Sequence, residues 1–289
     1  MAVLKTSNHT SSPPVAVQGP CGPVRLKWHK LRTNLAEAPF KRSNLALGWQ
    51  LGASLEVDIL ATADGRFAVL HDPTLGPSTT GRGRVPRTPI AAMSGFFHRD
   101  AAGTPDPDAP VLSLADLIAP LRTRRRAPSA NLQLDLKLLE GHSLPDSAIA
   151  DAAAAVAGLE DAIVVGSHHL NDARRLVAAI PGARLGYDPM LAVSRQPGLR
   201  DPEQLLRHME RRGAGVSLAY LRFDAIVAAE KQGFPLVARL LDLGIETDAW
   251  TVNPGGDVND TILRTLVEAK VRQITTDVSS AIFGLIRAL

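Results

Sequence analysis

The sequence predicts an α/β protein in which eight parallel strands close into a barrel and alternate with helices. Short β-branched or alternating segments recur along the 289 residues, and helical patterns separate them, as repeated strand–helix units require. Polar residues collect where the predicted strands end, which is where a parallel barrel carries its active groups. An open, doubly wound sheet is the alternative, but no GxGxxG or GxxxxGKS/T phosphate loop is present.

The predicted strands are short segments bounded by glycine, proline or polar residues. After the second strand, Asp64-Gly65 is a strong hairpin signal, so Phe67–His71 is expected to fold back as an antiparallel partner. In chain order the eight barrel strands are predicted at Val24–His29, Leu55–Leu60, Leu132–Lys137, Ala162–Ser167, Ala183–Tyr187, Gly215–Tyr220, Glu246–Val252 and Gln273–Asp277.

Helical patterns fill the intervals between these strands, and several carry start or stop signals. Ser113 is a good N-cap residue, and Asp201-Pro202 combines a cap with a proline in the first turn. The predicted helices are Ser43–Leu51, Ser113–Leu121, Asp146–Gly158, Leu170–Ala179, Pro202–Arg212, Asp224–Gln232, Phe234–Leu243 and Asn259–Ala269.

The composition is that of a globular protein with a sizeable core. Hydrophobic residues make up 45% of the chain and aromatic residues 4%, and the formal charge is +3. Charges are scattered except in Arg122–Arg126, which is interpreted as a solvated helix end or loop, with a phosphate-facing patch as the alternative. No basic stripe with interleaved aromatic residues is present, so nucleic-acid binding is not expected.

The chain is predicted to consist of a flexible leader over residues 1–23 and one domain over residues 24–289. The leader lacks the basic start and apolar core of a signal peptide, so the glycosylation sequon at Asn8 is discounted. No apolar run approaches the roughly 18 residues of a membrane helix, and stable membrane insertion is not expected. Cys21 is the only cysteine, which excludes an internal disulfide and fits a reducing, cytoplasmic location. No sequence feature specifies an oligomeric state.

The stretch Ser54–Asp72 concentrates chemically active groups. Glu56 and Asp58 alternate with apolar residues, so both project from one face of a strand. Two adjacent carboxylates repel each other unless one is protonated, both are solvated or a cation lies between them. The hairpin returns His71 to the same neighbourhood, which predicts a hydrolytic centre. The alternative is that the two carboxylates are ordinary exposed strand residues.

The barrel prediction requires the active groups to gather at the carboxyl ends of the strands. Polar residues of several types occur at those ends in this sequence. They are His29, Glu56, Asp58, His71, Asp135, Lys137, Ser167, His168, Trp250, Asn253 and Asp277.

The segment Gly52–Leu75 (GASLEVDILATADGRFAVLHDPTL), followed by Thr79–Val85 (TTGRGRV), resembles the glycerophosphodiester phosphodiesterase family. The family pattern is GA-x-x-E-x-D-x-x-x-T-x-D-G-x-x-V-x-x-HD-x-x-L, and then TTG-x-G. Weaker similarity continues through LDLK, WTVN and ITTD, so the resemblance spans the chain from about Leu26 to Phe283 in the family's order.

The resemblance implies a TIM barrel that holds one divalent cation and two catalytic histidines. Carboxylate-only ligation suits a hard ion, Mg²⁺ or Ca²⁺. In the implied site the metal ligands are Glu56, Asp58 and Asp135, the general acid and base are His29 and His71, and the substrate contacts are Lys30, Arg32, Lys137 and Trp250.

The sequence departs from the family pattern at several of these positions. The usual His-Arg-Gly is His29-Lys30-Leu31, where Arg32 is a possible substitute for the arginine. The third ligand is Asp135 instead of glutamate. His168 and His169 stand where the family often has Ser-Phe, and both are candidates to approach the substrate.

The expected function is metal-dependent hydrolysis of a small, glycerophosphodiester-like phosphodiester to an alcohol and a phosphomonoester. A lysophospholipase D-like or sugar-phosphodiester hydrolase is an alternative within enzymes. A degenerate barrel that binds phosphorylated ligands without turnover is the alternative outside them.

Overall fold

The computed structural model describes residues 12–139, 141–255 and 257–289, so the Asn8 sequon and the start of the expected leader lie outside the described residues. The strands are β1 (Ala16–Gly19), β2 (Gly22–Trp28), β3 (Ser54–Ala61), β4 (Phe67–Val69), β5 (Phe97–Arg99), β6 (Pro105–Pro110), β7 (Asn131–Lys137), β8 (Ile163–Gly166), β9 (Arg184–Tyr187), β10 (Val216–Arg222), β11 (Glu246–Trp250) and β12 (Gln273–Thr276). The helices are α1 (Arg42–Leu51), α2 (Leu114–Ile118), α3 (Asp146–Val156), α4 (Leu170–Ala178), α5 (Met190–Arg195), α6 (Pro202–Arg212), α7 (Phe223–Lys231), α8 (Leu236–Asp242), α9 (Asp260–Glu268) and α10 (Ser279–Arg287).

Eight parallel strands form a closed barrel. Their order is β2-β12-β11-β10-β9-β8-β7-β3, and pairing of β2 with β3 closes the circle. The fold is therefore a TIM (β/α)₈ barrel, and the sequence-based prediction of fold class is confirmed. Every described helix is too short or too polar to span a lipid bilayer.

The predicted hairpin after the second barrel strand is also present. β4 pairs antiparallel with β3, with Ile59 opposite Val69. Gly65 has a φ of 68°, a left-handed conformation that glycine adopts without strain. The Thr62 hydroxyl donates to the Asp64 carboxylate at 2.6 Å, which fixes the turn. This hairpin brings His71 back towards the end of β3.

The stretch predicted as a leader, residues 1–23, contains a strand near its end. Ala16–Gly19 forms β1, which pairs antiparallel with β2 and buries the side chain of Val17. The alternation of Val15 and Val17 with polar or small residues was the available signal. Sequence patterns also left α5, α10 and the small β5–β6 sheet unpredicted.

The predicted helix Ser113–Leu121 is shorter in the structure. α2 ends at Ile118, and a 3₁₀ turn continues over Ala119–Thr123. Pro120 explains the change, because proline has no N–H to donate to the preceding helical turn. Arg122 lies on this turn and donates to the carbonyl oxygens of Ala154 and Ala155 at the end of α3. The first arginine of the Arg122–Arg126 run therefore caps a helix.

The barrel interior is unusually polar for this fold, whose interiors are dominated by branched apolar residues. The Lys27 ammonium lies 2.5 Å from an Asp248 oxygen and donates to the Gln133 side chain at 2.5 Å. Asp248 also accepts hydrogen bonds from Gln273 and Thr275. Apolar packing occurs instead between the strands and the surrounding helices, where the main buried cluster lies.

The Tyr220 ring fills the space across from Lys27, whose ammonium lies 4.5 Å from the ring centroid. Two glycines on neighbouring strands make room for this ring. A Cβ added at Gly186 would lie 2.5 Å from a Tyr220 ring carbon, and a Cβ added at Gly166 would lie 2.8 Å from the same carbon. Both distances are shorter than non-bonded carbon atoms tolerate, so the glycines are required for this packing.

Gly186→Ala is expected to destabilise the protein by about 1–3 kcal/mol, because overpacking a filled interior displaces side chains. Urea unfolding would measure the change. Gly284→Ala is the matched control: Gly284 lies in α10 with no atom near the added methyl group, and the change should stabilise by about 0.5–1 kcal/mol. An unchanged unfolding midpoint for Gly186→Ala would contradict the position of the Tyr220 ring.

Candidate active site

Three carboxylates converge at the carboxyl end of the barrel. Glu56 and Asp58 project from β3, and Asp135 projects from β7, where it pairs in register with Asp58. One oxygen of each carboxylate lies within 4.8 Å of an oxygen of the other two. Glu56 and Asp58 are fully buried, while the Asp135 side chain is partly exposed. The structure thus brings together the three residues predicted as metal ligands.

Two lysines balance the negative charge of this cluster. The Lys137 ammonium lies 2.6 Å from Asp135 and 3.1 Å from Asp58. The Lys30 ammonium lies 3.9 Å from the other Asp58 oxygen. The Lys30 backbone N–H donates to Glu56 at 2.5 Å. Each carboxylate therefore has a positive or donor group beside it even without a metal ion.

The turn that carries Lys30 has a strained backbone. Lys30 and Leu31 have φ values of 53° and 59°, in the left-handed region that non-glycine residues rarely adopt. Leu31 occupies the position of the glycine in the His-Arg-Gly pattern of the glycerophosphodiester phosphodiesterase family, which this sequence resembles. The Phe40 N–H donates to the Lys30 carbonyl, and the Asn44 amide donates to the Leu31 carbonyl, so both strained residues are held by hydrogen bonds.

Burial and mutual repulsion separate the protonation states of the two carboxyls on β3. Burial, followed by the charge of Asp58, raises the pKa of Glu56 to about 7. Burial would also raise the pKa of Asp58, but the charges of Lys137 and Lys30 outweigh it, and that pKa is lowered. At neutral pH Asp58 is therefore ionised, whereas Glu56 keeps its proton to a higher pH than an ordinary glutamate does.

The donor set fits a hard divalent cation. Both Asp58 oxygens are buried and accept no hydrogen bond from the described residues, which is costly for an ionised carboxylate. A cation shared with Glu56 and Asp135 would satisfy them. Oxygen-only ligation matches Mg²⁺ and Ca²⁺.

The two predicted catalytic histidines are each backed by an aspartate. His29 Nδ1 lies 3.0 Å from an Asp277 oxygen, and Asn253 donates to the other Asp277 oxygen at 2.7 Å. His71 Nδ1 lies 2.9 Å from an Asp72 oxygen. In both pairs the aspartate engages Nδ1, which leaves Nε2 as the nitrogen for substrate chemistry.

The sequence analysis assigns no role to Asp72 and names Asp277 only among the polar residues at strand ends. Asp72 follows His71 directly in the chain, so its proximity was visible in the sequence. Asp277 reaches His29 because β12 neighbours β2 in the closed barrel, with Thr276 in register with Trp28. Only the closure of the barrel reveals this second contact.

A cavity of about 300 Å³ opens above the carboxylates. Its lining residues are Lys27, His29, Lys30, Glu56, His71, Gln133, Asp135, Lys137, His168, Asp188, Tyr220, Trp250, Thr251 and Thr275.

Most of the predicted substrate-binding residues, including Trp250, lie in this lining. Arg32 is outside this lining, and its guanidinium lies 3.7 Å from Asp277. A contact between Arg32 and the substrate stays a prediction. The sequence analysis did not identify Lys27, Gln133 and Tyr220 as cavity residues. A signal for Lys27 was available, because alternate residues of a strand face the same side and Lys27 lies two residues before His29.

Comparison with solved structures finds the same architecture in glycerophosphodiester phosphodiesterases. One from Agrobacterium tumefaciens is 19% identical, with 92% of this chain and 100% of that chain covered and a TM-score of 0.62. One from Parabacteroides distasonis is 16% identical, with 91% and 96% covered and a TM-score of 0.65. A phosphodiesterase from Oleispira antarctica, in complex with the product sn-glycerol-3-phosphate, is 16% identical, with 91% and 96% covered and a TM-score of 0.62.

The chain has the barrel fold of these phosphodiesterases. At such low identity the likeness is one of fold, and the activity of this chain must be argued from its own residues. No family model matches the sequence, and no curated protein matches it.

The raised pKa of Glu56 predicts a pH-dependent stability for the metal-free protein. Between the ordinary pKa of 4.5 and the folded-state pKa of about 7, the folded state keeps a proton that the unfolded state has released. Stability should therefore fall as pH rises through this window, by about 3 kcal/mol in total. Urea unfolding in EDTA, from about pH 4.5 to about pH 7.5, would measure the loss.

Glu56→Gln removes the titrating carboxyl and should flatten this part of the profile. Glu210→Gln, on the exposed surface of α6, is the matched control and should leave the slope unchanged. Coincident profiles for the wild type and Glu56→Gln would show that Glu56 does not titrate in this range.

Proposed function

We propose that this chain is a member of the glycerophosphodiester phosphodiesterase family that hydrolyses a small phosphodiester with the help of one divalent cation. The observation that carries the proposal is the convergence of three carboxylates and two aspartate-backed histidines on one cavity. The motif in Gly52–Leu75 and the shared fold support it independently. The products are an alcohol and a phosphomonoester.

Glu56, Asp58 and Asp135 would hold the cation, which we propose to be Mg²⁺ or Ca²⁺. When bound, the cation would supply positive charge that stabilises the anionic phosphate and favours deprotonation of the attacking hydroxyl or water. Metal binding requires Glu56 to release its proton, so affinity should increase as pH rises through about 7.

His29 and His71 supply the proton transfers. One Nε2 accepts the proton of the attacking hydroxyl or water, and the other Nε2 donates a proton to the departing alkoxide. Asp277 and Asp72 hold the two rings by their Nδ1 atoms. The Lys30 and Lys137 ammonium groups line the cavity beside the carboxylates, where they can contact the phosphate.

The cavity favours a small polar substrate over a lysophospholipid. Trp250 and Tyr220 are the large apolar side chains in its lining, and the remaining groups are mostly charged or hydrogen-bonding. An acyl chain needs a continuous apolar surface, which this lining does not provide. A small glycerophosphodiester needs a cation, proton-transfer groups and hydrogen-bonding partners, all of which are present.

Release of glycerol 3-phosphate from glycerophosphodiesters should require Mg²⁺ or Ca²⁺ and stop in EDTA. Glu56→Ala should lower the rate by roughly 100-fold or more, because it removes a ligand at the site of charge stabilisation. Glu210→Gln is the control and should keep full activity. Undiminished turnover in EDTA would rule out the metal-dependent reaction. If neither the wild type nor the Glu210→Gln control hydrolyses a glycerophosphodiester, the remaining interpretation is a barrel that only binds phosphorylated ligands.

Asp277→Asn should lower kcat by about 10- to 100-fold with a small effect on KM, because Asp277 orients His29 and does not line the cavity. Burial would raise the pKa of Asp277, but the hydrogen bond from His29 outweighs it and lowers that pKa, so the native pair contains a carboxylate. Steady-state kinetics on a glycerophosphodiester would measure the effect. Asp224→Asn, on the exposed start of α7, is the control. A change confined to KM would contradict the orienting role.

A further inference from the structure

A third aspartate-backed histidine lies on the cavity wall. His168 Nδ1 lies 3.3 Å from the carbonyl oxygen and 3.5 Å from a carboxylate oxygen of Asp188. Both residues belong to the cavity lining. As with His29 and His71, an aspartate lies beside Nδ1, but here its backbone carbonyl is the nearer acceptor, and the proposed reaction uses only two imidazoles.

The pair is held firmly by its neighbours. The Met190 N–H donates to the same Asp188 oxygen at 2.8 Å, and the Asp188 N–H donates to the Ser167 carbonyl at 3.1 Å. The Ser167 hydroxyl in turn donates to the Leu136 carbonyl on β7. These bonds connect the ends of β7, β8 and β9, so the position of His168 is set by the barrel itself.

His168 lies on the opposite side of the carboxylates from the two catalytic histidines. Around the barrel, β3 and β7 carry the carboxylates, β2 and the β4 hairpin lie on one side, and β8 and β9 lie on the other. Asp135 is in register with Gly166, and His168 follows just beyond the end of β8, in the same cavity lining as Asp135. A phosphate between His29 and the carboxylates would therefore extend one of its substituents towards His168.

The pair offers one donor and one acceptor to that substituent. Because Nδ1 faces Asp188, Nε2 is the nitrogen available to a ligand. Burial would lower the pKa of His168, but the hydrogen bond and charge of Asp188 raise it, which favours the form with an N–H at both positions. The second Asp188 oxygen receives no hydrogen bond from the described residues and can accept one. A hydroxyl group, which accepts and donates at once, is the complement of this pair.

We propose that His168 and Asp188 form a hydroxyl-binding subsite, which makes them specificity-determining residues for the half of the phosphodiester that carries free hydroxyl groups. His168 would donate from Nε2 to a substrate hydroxyl, and Asp188 would accept from that hydroxyl or its neighbour. This inference rests on the proposed function for the identity of the ligand, and it adds the recognition of one half of the diester.

Two ligand pairs separate hydroxyl recognition from phosphate recognition. Glycerophosphocholine carries hydroxyls, whereas bis-p-nitrophenyl phosphate carries none, and kcat/KM would be measured for both. Glycerol 3-phosphate and methyl phosphate form the corresponding pair of monoesters, and their affinities would be measured by calorimetry with Mg²⁺. Because the calorimetric pair requires no turnover, it tests the subsite even if the proposed hydrolysis does not occur.

His168→Ala should lower kcat/KM for glycerophosphocholine and the affinity for glycerol 3-phosphate, each by about tenfold, the usual effect of losing one hydrogen bond to a charged group. The values for bis-p-nitrophenyl phosphate and methyl phosphate should stay within about twofold. His168→Gln keeps an N–H donor of similar reach and should restore part of the loss. His169→Ala is the matched control, since His169 is the adjacent imidazole and lies outside the cavity lining.

Asp188→Asn provides a second variant that replaces the free acceptor with a donor, and it should also weaken glycerol 3-phosphate selectively. Equal losses for both members of each pair, or no loss for either, would overturn the subsite. If the wild type hydrolyses no diester but His168→Ala still weakens glycerol 3-phosphate selectively, the proposed function fails and the subsite stands.

Discussion

Three carboxylates that point into one barrel must be balanced by positive charge, and much of the polar structure depends on this requirement. Repulsion within the buried Glu56–Asp58 pair is reduced because Lys137 and Lys30 lie against Asp58 and the Lys30 backbone N–H lies against Glu56. One layer below, Lys27 is paired in turn with Asp248. Charges of opposite sign alternate through the interior, which allows a fold that normally has an apolar interior to carry a charged one.

This balance of charge leaves the oxygens of Asp58 without hydrogen-bond donors, at the centre of the candidate active site. The lysines lower the pKa of Asp58 without donating a well-directed hydrogen bond to either of its oxygens. Glu56, at the same time, is left with a proton that a metal ion would displace. Three converging carboxylates, two of whose buried oxygens lack well-directed donors, form a group that could hold a cation.

The sequence predicted the features that depend on local patterns. Period-two alternation located the barrel strands and put Glu56 and Asp58 on one face, and Asp64-Gly65 located the hairpin that returns His71. The partners of these residues could not be predicted in the same way. The Asp277–His29 contact joins residues 248 positions apart and exists only because the last strand closes against the first. Local patterns also did not predict the ion pair between Lys27 and Asp248.

The left-handed turn at Lys30-Leu31 shows how a residue other than glycine can hold a conformation that favours glycine. Glycine would adopt this backbone without strain, whereas Leu31 adopts it at a cost of order 1 kcal/mol. Its side chain is completely buried, and burial of a leucine side chain contributes about 2 kcal/mol, which offsets that cost. The turn therefore still delivers the Lys30 N–H to Glu56. Identity at a motif position is thus less informative than the backbone conformation that the residue maintains.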